Sequence, residues 1–481
     1  MATRLPPRLS ALRLPVAVAV AATAVYVLVS RALIDDAYIT MAYARNLAFH
    51  LHWGLIADET ANSATSPLNV IALAVITAVV RNAQVAVGVL FVAAAVLAAR
   101  WLADLGEQLE LSRALPVVAV GLLLLNPLLL STVGLEPYLT AALFAGLLRY
   151  GAARRGVAFG VLAGLTVLAR PDCAVVVVVV AVVLRPGWVR AIGAALLVTV
   201  PWYVFSWLAL GSALPDTLII KAGERWSTFG FWNGPALYLT VYRGPTVLGF
   251  LPVVLGVPVL VGLLVVRLRA VWAPWQRAAA AAGLAAVAHY GVYGLLRTAP
   301  YHWYYAPLII GTTLCFAIAA ARLSGRFAAV CAVVPAALAC ASLFVDLQHG
   351  LPWQRALITT NWATPAEYQR MGQDLHGIVG THAVESPGEI GTLAYYCDCA
   401  IVDDFSDRGR VIDAIEASER KSDDLAAALL RLNYDHLNTG QQPRPVAYHL
   451  HYESRLPPSG PDQWPSDNWI DGPSRIVLLR S

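Results

Sequence analysis

The chain has 481 residues, of which 58% are hydrophobic and only 13% charged, with a mean hydropathy of +0.62. A soluble globular protein carries roughly 25% charged residues, so this surface cannot all face water and lipid must be part of its solvent. That excludes a cytosolic enzyme, a disordered scaffold and a nucleic-acid binder, and a formal net charge of +4 calls for no polyanionic partner.

Charge divides along the chain. Residues 1–347 hold 23 basic and 12 acidic side chains, a net of +11, and residues 348–481 hold 11 and 18, a net of −7. The division predicts a membrane domain over 1–347 and an acidic, water-soluble domain over 348–481.

Arg4, Arg8 and Arg13 precede an apolar run over 14–34, long enough to cross a bilayer at about 20 residues. No A-x-A-like cleavage site follows, so the run reads as a retained helix with its N-terminus in the cytoplasm. Asp35 and Asp36 then emerge outside. Between Ser66 and Arg149 lie four apolar runs, at 66–80, 84–102, 114–131 and 137–148. Four crossings would return the chain to the wrong side, so the 66–80 run is expected to be re-entrant or interfacial. Short runs flank Arg170, Pro171 and Asp172 and predict a half-depth hairpin. Lipid cannot satisfy irregular backbone, so its charged tip must line a cavity. The clusters Arg149/Arg154/Arg155, Arg185/Arg190, Arg267/Arg269/Arg277 and Arg322/Arg326 mark cytoplasmic turns. A last crossing over 327–344 delivers the acidic domain to the outside. The expected fold class is a polytopic α-helical membrane protein of about eleven crossings, N-terminus in and C-terminus out, with a small C-terminal α/β domain.

Within that domain, 382–384 and 400–403 read as short strands around a helix over 388–397, a β-α-β-like unit, and 474–479 as a final strand. Cys397 and Cys399, set two apart on one strand, are expected as free thiols.

Eight of the twelve acids before residue 348 fall at expected outer turns: Asp35, Asp36, Asp58, Glu59, Glu136, Asp172, Asp216 and Glu224. Ionisable groups at membrane depth are costly and usually functional. Simple solvation of loop ends is the competing account for Asp58, Glu59 and Glu224. Asp35 and Asp36, adjacent at a helix exit, are the strongest functional candidates.

Several motifs occur together and in order. They are D-D-A-Y-I-T-M-A-Y-A-R-N-L (35–47), A-N-S-A-T-S-P-L (61–68), S-T-V-G-L-E (131–136), L-A-R-P-D (168–172), G-S-A-L-P-D-T-L-I-I-K (211–221) and Y-H-W-Y-Y-A-P (301–307). G-E-I-G-T-L-A-Y-Y (388–396) and I-V-D-D-F (401–405) follow. This series resembles GT-C superfamily membrane glycosyltransferases that use polyprenyl-phosphate sugars, and is similar to actinobacterial cell-wall arabinofuranosyltransferases. Cys173 stands where family members often carry Gly, and Asn62 and Ala64 replace a Glu and an aromatic. Those departures bear on the sugar more than on the reaction class.

The resemblance implies an inverting transfer from a polyprenyl-phosphate-linked sugar to a cell-envelope glycan or lipid acceptor on the outer face of the cytoplasmic membrane, with arabinofuranose as the leading sugar. A carboxylate must take the acceptor proton, and cations must stabilise the departing phosphate. Asp35 and Asp36 are the expected catalytic pair, with Asp35 favoured as base because it is nearer the membrane helix. Arg170, Lys221, Arg297 and His302 are the expected donor-phosphate ligands, with interfacial snorkelling as their structural alternative. Tyr38, Arg45, Asn46, Ser66, Glu136, Asp172, Tyr304, Asp403 and Asp404 are the expected substrate contacts, and Glu389, Tyr395 and Tyr396 gather near the last two. No essential metal is expected, although adjacent aspartates can share a hard cation. The rival functions are transport and non-catalytic binding of a lipid-linked glycan.

Overall fold

The computed structural model describes residues 7–223, 229–323 and 326–481. Helix α1 (Pro7–Val29) leads to α2 (Asp35–His50), α3 (Pro67–Val80) and α4 (Ala83–Gln108). The chain continues through α5 (Leu115–Leu124), the single turn α6 (Pro127–Leu130), α7 (Pro137–Ala152), α8 (Gly156–Ala169), α9 (Ala174–Leu184) and α10 (Trp188–Ala209). Two short helices, α11 (Thr217–Gly223) and α12 (Gly234–Val241), precede α13 (Arg243–Arg269), α14 (Pro274–Leu296), α15 (Ala306–Ala320) and α16 (Arg326–Gln348). Proline occupies the first turn of α3, α5, α6, α7, α14 and α15, where its missing N–H has no intrahelical partner to lose.

Among the described residues, six segments are long and apolar enough to cross a membrane by length and composition: α1, α4, α10, α13, α14 and α15 with the turn before it. Small side chains let the innermost ones approach closely. Ala278 to Ala282 of α14 are fully buried, and a Cβ on Gly311 of α15 would lie 2.7 Å from the Ala282 carbonyl.

The two ends of the bundle differ in chemistry. At one end, Arg149 donates to Gln108 Oε1 at 2.9 Å, and the Ser112 amide donates to the Ala321 carbonyl at 3.0 Å. The start of α8 there abuts the Gly187 carbonyl, so several arginine-rich turns share one end. Ser66, Glu136, Arg170 and Arg297 line a single cavity at the other end. Helix α3 lies beside α2, with Val70 near its start in one apolar cluster with Ala42 and Tyr43. Arg81, just past its last residue, sits 4.3 Å from the Phe49 ring, and Gln84 donates to the Tyr38 hydroxyl at 3.2 Å.

Beyond α16 the chain forms α17 (Pro365–Val379), β1 (Val384–Glu385), α18 (Gly391–Cys397), β2 (Ile401–Val402), α19 (Arg408–Lys421), α20 (Asp424–Asn433), β3 (Tyr448–Glu453), β4 (Gln463–Asn468) and β5 (Gly472–Arg480). The sheet runs β2-β1-β3-β5-β4, with β1 parallel to β2 and β3, and β5 antiparallel to β3 and β4. The β1-α18-β2 unit and the final strand match the expectation from sequence. Strands β3 and β4 were not anticipated, because Y-H-L-H-Y-E and Q-W-P-S-D-N carry too little apolar alternation to announce themselves.

The cysteine expectation fails. Cys397 and Cys399 form a disulfide. Cys397 ends α18 and Asp398 turns into the left-handed region at φ 53°, so the pair straddles a helix end and not an extended strand.

The C-terminal sheet does not float free of the helices. Ala42 and Tyr43 of α2 share one apolar cluster with Tyr368, Met371, Leu393 and Ile476. Helix α2 is therefore a layer between the bundle and the sheet.

Candidate active site

Two cavities meet over the N-terminal turn of α2. The upper one, about 640 Å³, is walled largely by the C-terminal region, including Asn361, Trp362, Glu389, Asp403, Tyr452 and Asp471. The lower one, about 510 Å³, descends among the helices past Ser66, Glu136, Arg170, Asp172, Arg297 and Tyr304. Asp36, Ile39, Lys221, Tyr301 and Phe405 line both. A molecule in either cavity therefore reaches Asp36 and Lys221.

Adjacent aspartates on a helix point about 100° apart, and here they meet different surroundings. Asp35 is buried. Its Oδ2 accepts the amides of Ile390 and Gly391 at 3.1 and 2.8 Å, and its Oδ1 accepts that of Thr392 at 2.7 Å. These are amides at the N-terminus of α18, which its carboxylate caps from another part of the chain. Asp36 instead has Lys221 Nζ at 3.9 Å from its Oδ1 and keeps 31% of its side chain exposed. Burial raises the pKa of both, and for Asp36 it outweighs the opposing pull of Lys221. A raised carboxylate is a stronger base.

Lys221, in the last turn of α11, is surrounded by rings. Its Nζ lies 4.6 Å from the Tyr301 ring centre, 5.3 Å from Trp303 and 5.8 Å from both Tyr304 and Phe405. Ring faces stabilise the ammonium, so the charge is held in place beside Asp36.

Arg170 is tied down more tightly. It contacts Glu136 Oε1 at 2.8 Å and Asp172 Oδ2 at 2.9 Å, and His289 Nε2 reaches the same Asp172 oxygen at 2.7 Å. The tip of the α8–α9 hairpin does line a cavity, as its length implied, but its carboxylates satisfy its own arginine. Asp172, Cys173 and His289 each bring a possible metal-ligand atom within 4.8 Å of the others. Both Asp172 oxygens are already engaged, Oδ1 by Arg170 and Oδ2 by Arg170 and His289.

The upper cavity has its own carboxylates. Glu389 accepts from Asn361 Nδ2 at 2.9 Å, the Trp362 amide at 3.0 Å and the Tyr368 hydroxyl at 2.7 Å. Burial, and then the nearby charge of Asp35, push its pKa up to about 8. Burial likewise pushes Asp403 up to about 7.

The remaining expected residues separate. Ser66, Glu136, Asp172, Arg297 and Tyr304 line the lower cavity, and Asp403 the upper one. Five line neither. His302 is fully buried against Tyr238 and Trp303. Tyr38 packs on Tyr395 and Tyr396, and Arg45 donates to the Tyr395 carbonyl at 2.9 Å. Asn46 donates to Gly54 and Leu55 carbonyls, and Asp404 is exposed. They were grouped with the site because they lie in the motifs that carry the resemblance, and a shared motif does not separate a cavity wall from a packing contact. Asp58 and Glu59 pair with Arg444 at 2.9 and 3.2 Å, and Asp216 pairs with Arg408 at 2.9 Å; Glu224 lies outside the described residues. Sequence reasoning passed over His289, Asn361, Trp362 and Phe405. His289 carried a signal as an ionisable residue within an alanine-rich membrane helix, and Phe405 as the last residue of the I-V-D-D-F motif.

No protein-family model matches the sequence, and no curated protein matches it. Solved structures do. ArnT from Cupriavidus metallidurans bound to undecaprenyl phosphate is similar over 98% of both chains, with a TM-score of 0.59 at 14% identity. The same protein in the apo state gives 0.56 at 15% identity, again over 98% of both chains. The Archaeoglobus fulgidus oligosaccharyltransferase tethered to an acceptor peptide gives 0.52 at 12% identity, over 91% of this chain and 69% of that one. The chain described here shares its fold with both proteins, which fits the resemblance to GT-C membrane glycosyltransferases drawn from the motifs.

Proposed function

We propose that the protein transfers a sugar, pentose or hexose, from a polyprenyl-phosphate donor to a glycan or lipid acceptor at the outer face of the cytoplasmic membrane. The observation that carries this reading is the shared wall of the two cavities, where a raised carboxylate, Asp36, stands beside a caged ammonium, Lys221. The acceptor enters the upper cavity, and the donor lies with its lipid along the lower one. Asp36 removes the acceptor hydroxyl proton as that oxygen bonds to the anomeric carbon. The bond from the anomeric carbon to the phosphate oxygen breaks on the opposite face, inverting the centre. Lys221 and Arg297 stabilise the lipid phosphate as it leaves. Asp35 serves the fold and not the proton transfer. ArnT, determined with undecaprenyl phosphate bound, supports a donor of that class.

The same reading carries a membrane arrangement, supported by the arginine-rich turns at one end of the bundle and the cavities at the other. Residues 1–347 form the membrane domain and 348–481 the external one, with α3 lying beside α2 and the other apolar helices giving eleven crossings. Single-turnover transfer tests the reading. Asp36→Asn should remain folded and bind donor, but lose roughly 10²–10⁴ in rate, the usual contribution of a general base. A near-wild-type rate removes Asp36 from the chemistry.

A further inference from the structure

Helix α20 is amphipathic in an unusual way for an external domain. Its inner stripe holds the buried Ala427, and Leu430 with Tyr434 beyond packs on Ile219 and Ile220 of α11 and on Val411 and Ile415 of α19. Its outer stripe is Leu425, Leu429 and Leu432, exposed to 72%, 58% and 58%. Spacings of four and three residues place these leucines on one face. A water-facing surface of a folded domain rarely gathers large apolar side chains this way unless something covers them.

The neighbourhood of α20 indicates the cover. The Trp207 indole donates to the Leu432 carbonyl at 2.8 Å, and its ring packs against His436 at 4.5 Å. Trp207 sits near the C-terminal end of α10, a 22-residue membrane-span candidate in which only Ala191 and Ser206 are buried in the protein. Phe205 and Leu208 are exposed beside it, and tryptophan at such a helix end marks the interfacial belt. The bridge continues through Asn433, whose Oδ1 accepts the Leu214 amide at 2.7 Å, and Leu214 and Leu218 are exposed as well. The outer stripe of α20 is thus continuous with a lipid-facing surface.

We propose that α20 is an interfacial foot, resting its Leu425, Leu429 and Leu432 face in the outer leaflet of the bilayer that surrounds α10. The contact is apolar in kind, since the stripe itself carries no cation for anionic headgroups. Its consequence is mechanical. Helix α11 is clamped to α19 and α20 by the shared apolar cluster and by the Asp216–Arg408 pair, and Lys221 lies in the last turn of α11. The foot therefore sets the level of Lys221 relative to the membrane. Its existence stands apart from any catalytic reading.

The test uses the full chain in nanodiscs of phosphatidylethanolamine and phosphatidylglycerol, with Cys331 and Cys340 replaced by alanine. An environment-sensitive NBD fluorophore is attached at Leu429→Cys or Leu425→Cys, and at Asp413→Cys, an exposed site on α19, as the control. Lipid carrying a nitroxide near the top of its acyl chain should quench the two α20 probes by about twofold or more, independently of salt, and leave the α19 probe bright, as interfacial burial of about 5–10 Å requires. Equal brightness at all three positions overturns the proposal. Absence of quenching together with concentration-dependent Leu429→Cys cross-links overturns it in favour of a second copy of the chain.

Discussion

Asp35 and Gly391 stand 356 positions apart in the sequence, and the Asp35 Oδ2 accepts the Gly391 amide at 2.8 Å. Their backbones meet as well as their hydrogen-bonding groups. A Cβ on Gly391 would lie 2.0 Å from the Asp35 carbonyl oxygen, so glycine is required here for close approach. Asp35 lines only the upper cavity, whereas Asp36, one residue further along α2, lines both.

Asp35→Ala should therefore damage the fold more than Asp36→Ala. It strips three buried amides of their acceptor, each unsatisfied group costing about 1–3 kcal/mol. Gly391→Ala should destabilise the same contact by steric overlap. Thermal unfolding in one detergent compares the three, and equal midpoints for the two aspartate variants would dismiss the clamp.

Lys221→Ala and Arg170→Ala should differ in kind, not only in degree. The sequence alone suggests that either loses donor affinity without unfolding. In the structure Arg170 compensates Glu136 and Asp172, and removing one partner of a buried pair costs about 3–5 kcal/mol. Arg170→Ala should lower the yield of folded protein. Lys221→Ala should fold and lose roughly tenfold to hundredfold in donor binding, the equivalent of about 1.5–3 kcal/mol. Donor titration of both proteins decides between these outcomes.

Glu389 predicts a pH dependence of stability. Its pKa rises from an ordinary 4.5 to about 8, so the native state holds its proton more tightly than the unfolded chain. Its stabilising contribution is complete below about pH 4.5 and is lost as pH rises through about 8. Glu389→Gln should flatten that limb of the stability profile. A profile unchanged by the substitution would show that another group titrates there.

Accessibility of single cysteines to a membrane-impermeant reagent should place positions 154 and 269 on the cytoplasmic side and position 481 outside. A cytoplasmic C-terminus would separate the upper cavity from external acceptors and end the proposed topology.

Composition determined a good deal without any coordinates. A 13% charged fraction commits the chain to lipid, because transfer free energy depends on the residues themselves and not on their partners. The charge change near residue 348 and the short β-α-β unit were legible for the same local reason. The site was legible only as a set of candidates. Periodicity separates Asp35 from Asp36 by 100°, yet which one meets α18 and which meets Lys221 depends on elements nearly 200 and more than 350 residues away. His302 and Tyr304 show the same limit from one short motif, one fully buried against other rings and the other on the cavity wall. Hydropathy is a property of a segment, whereas the environment of a carboxylate is assembled by long-range contacts, and only the tertiary structure decides those.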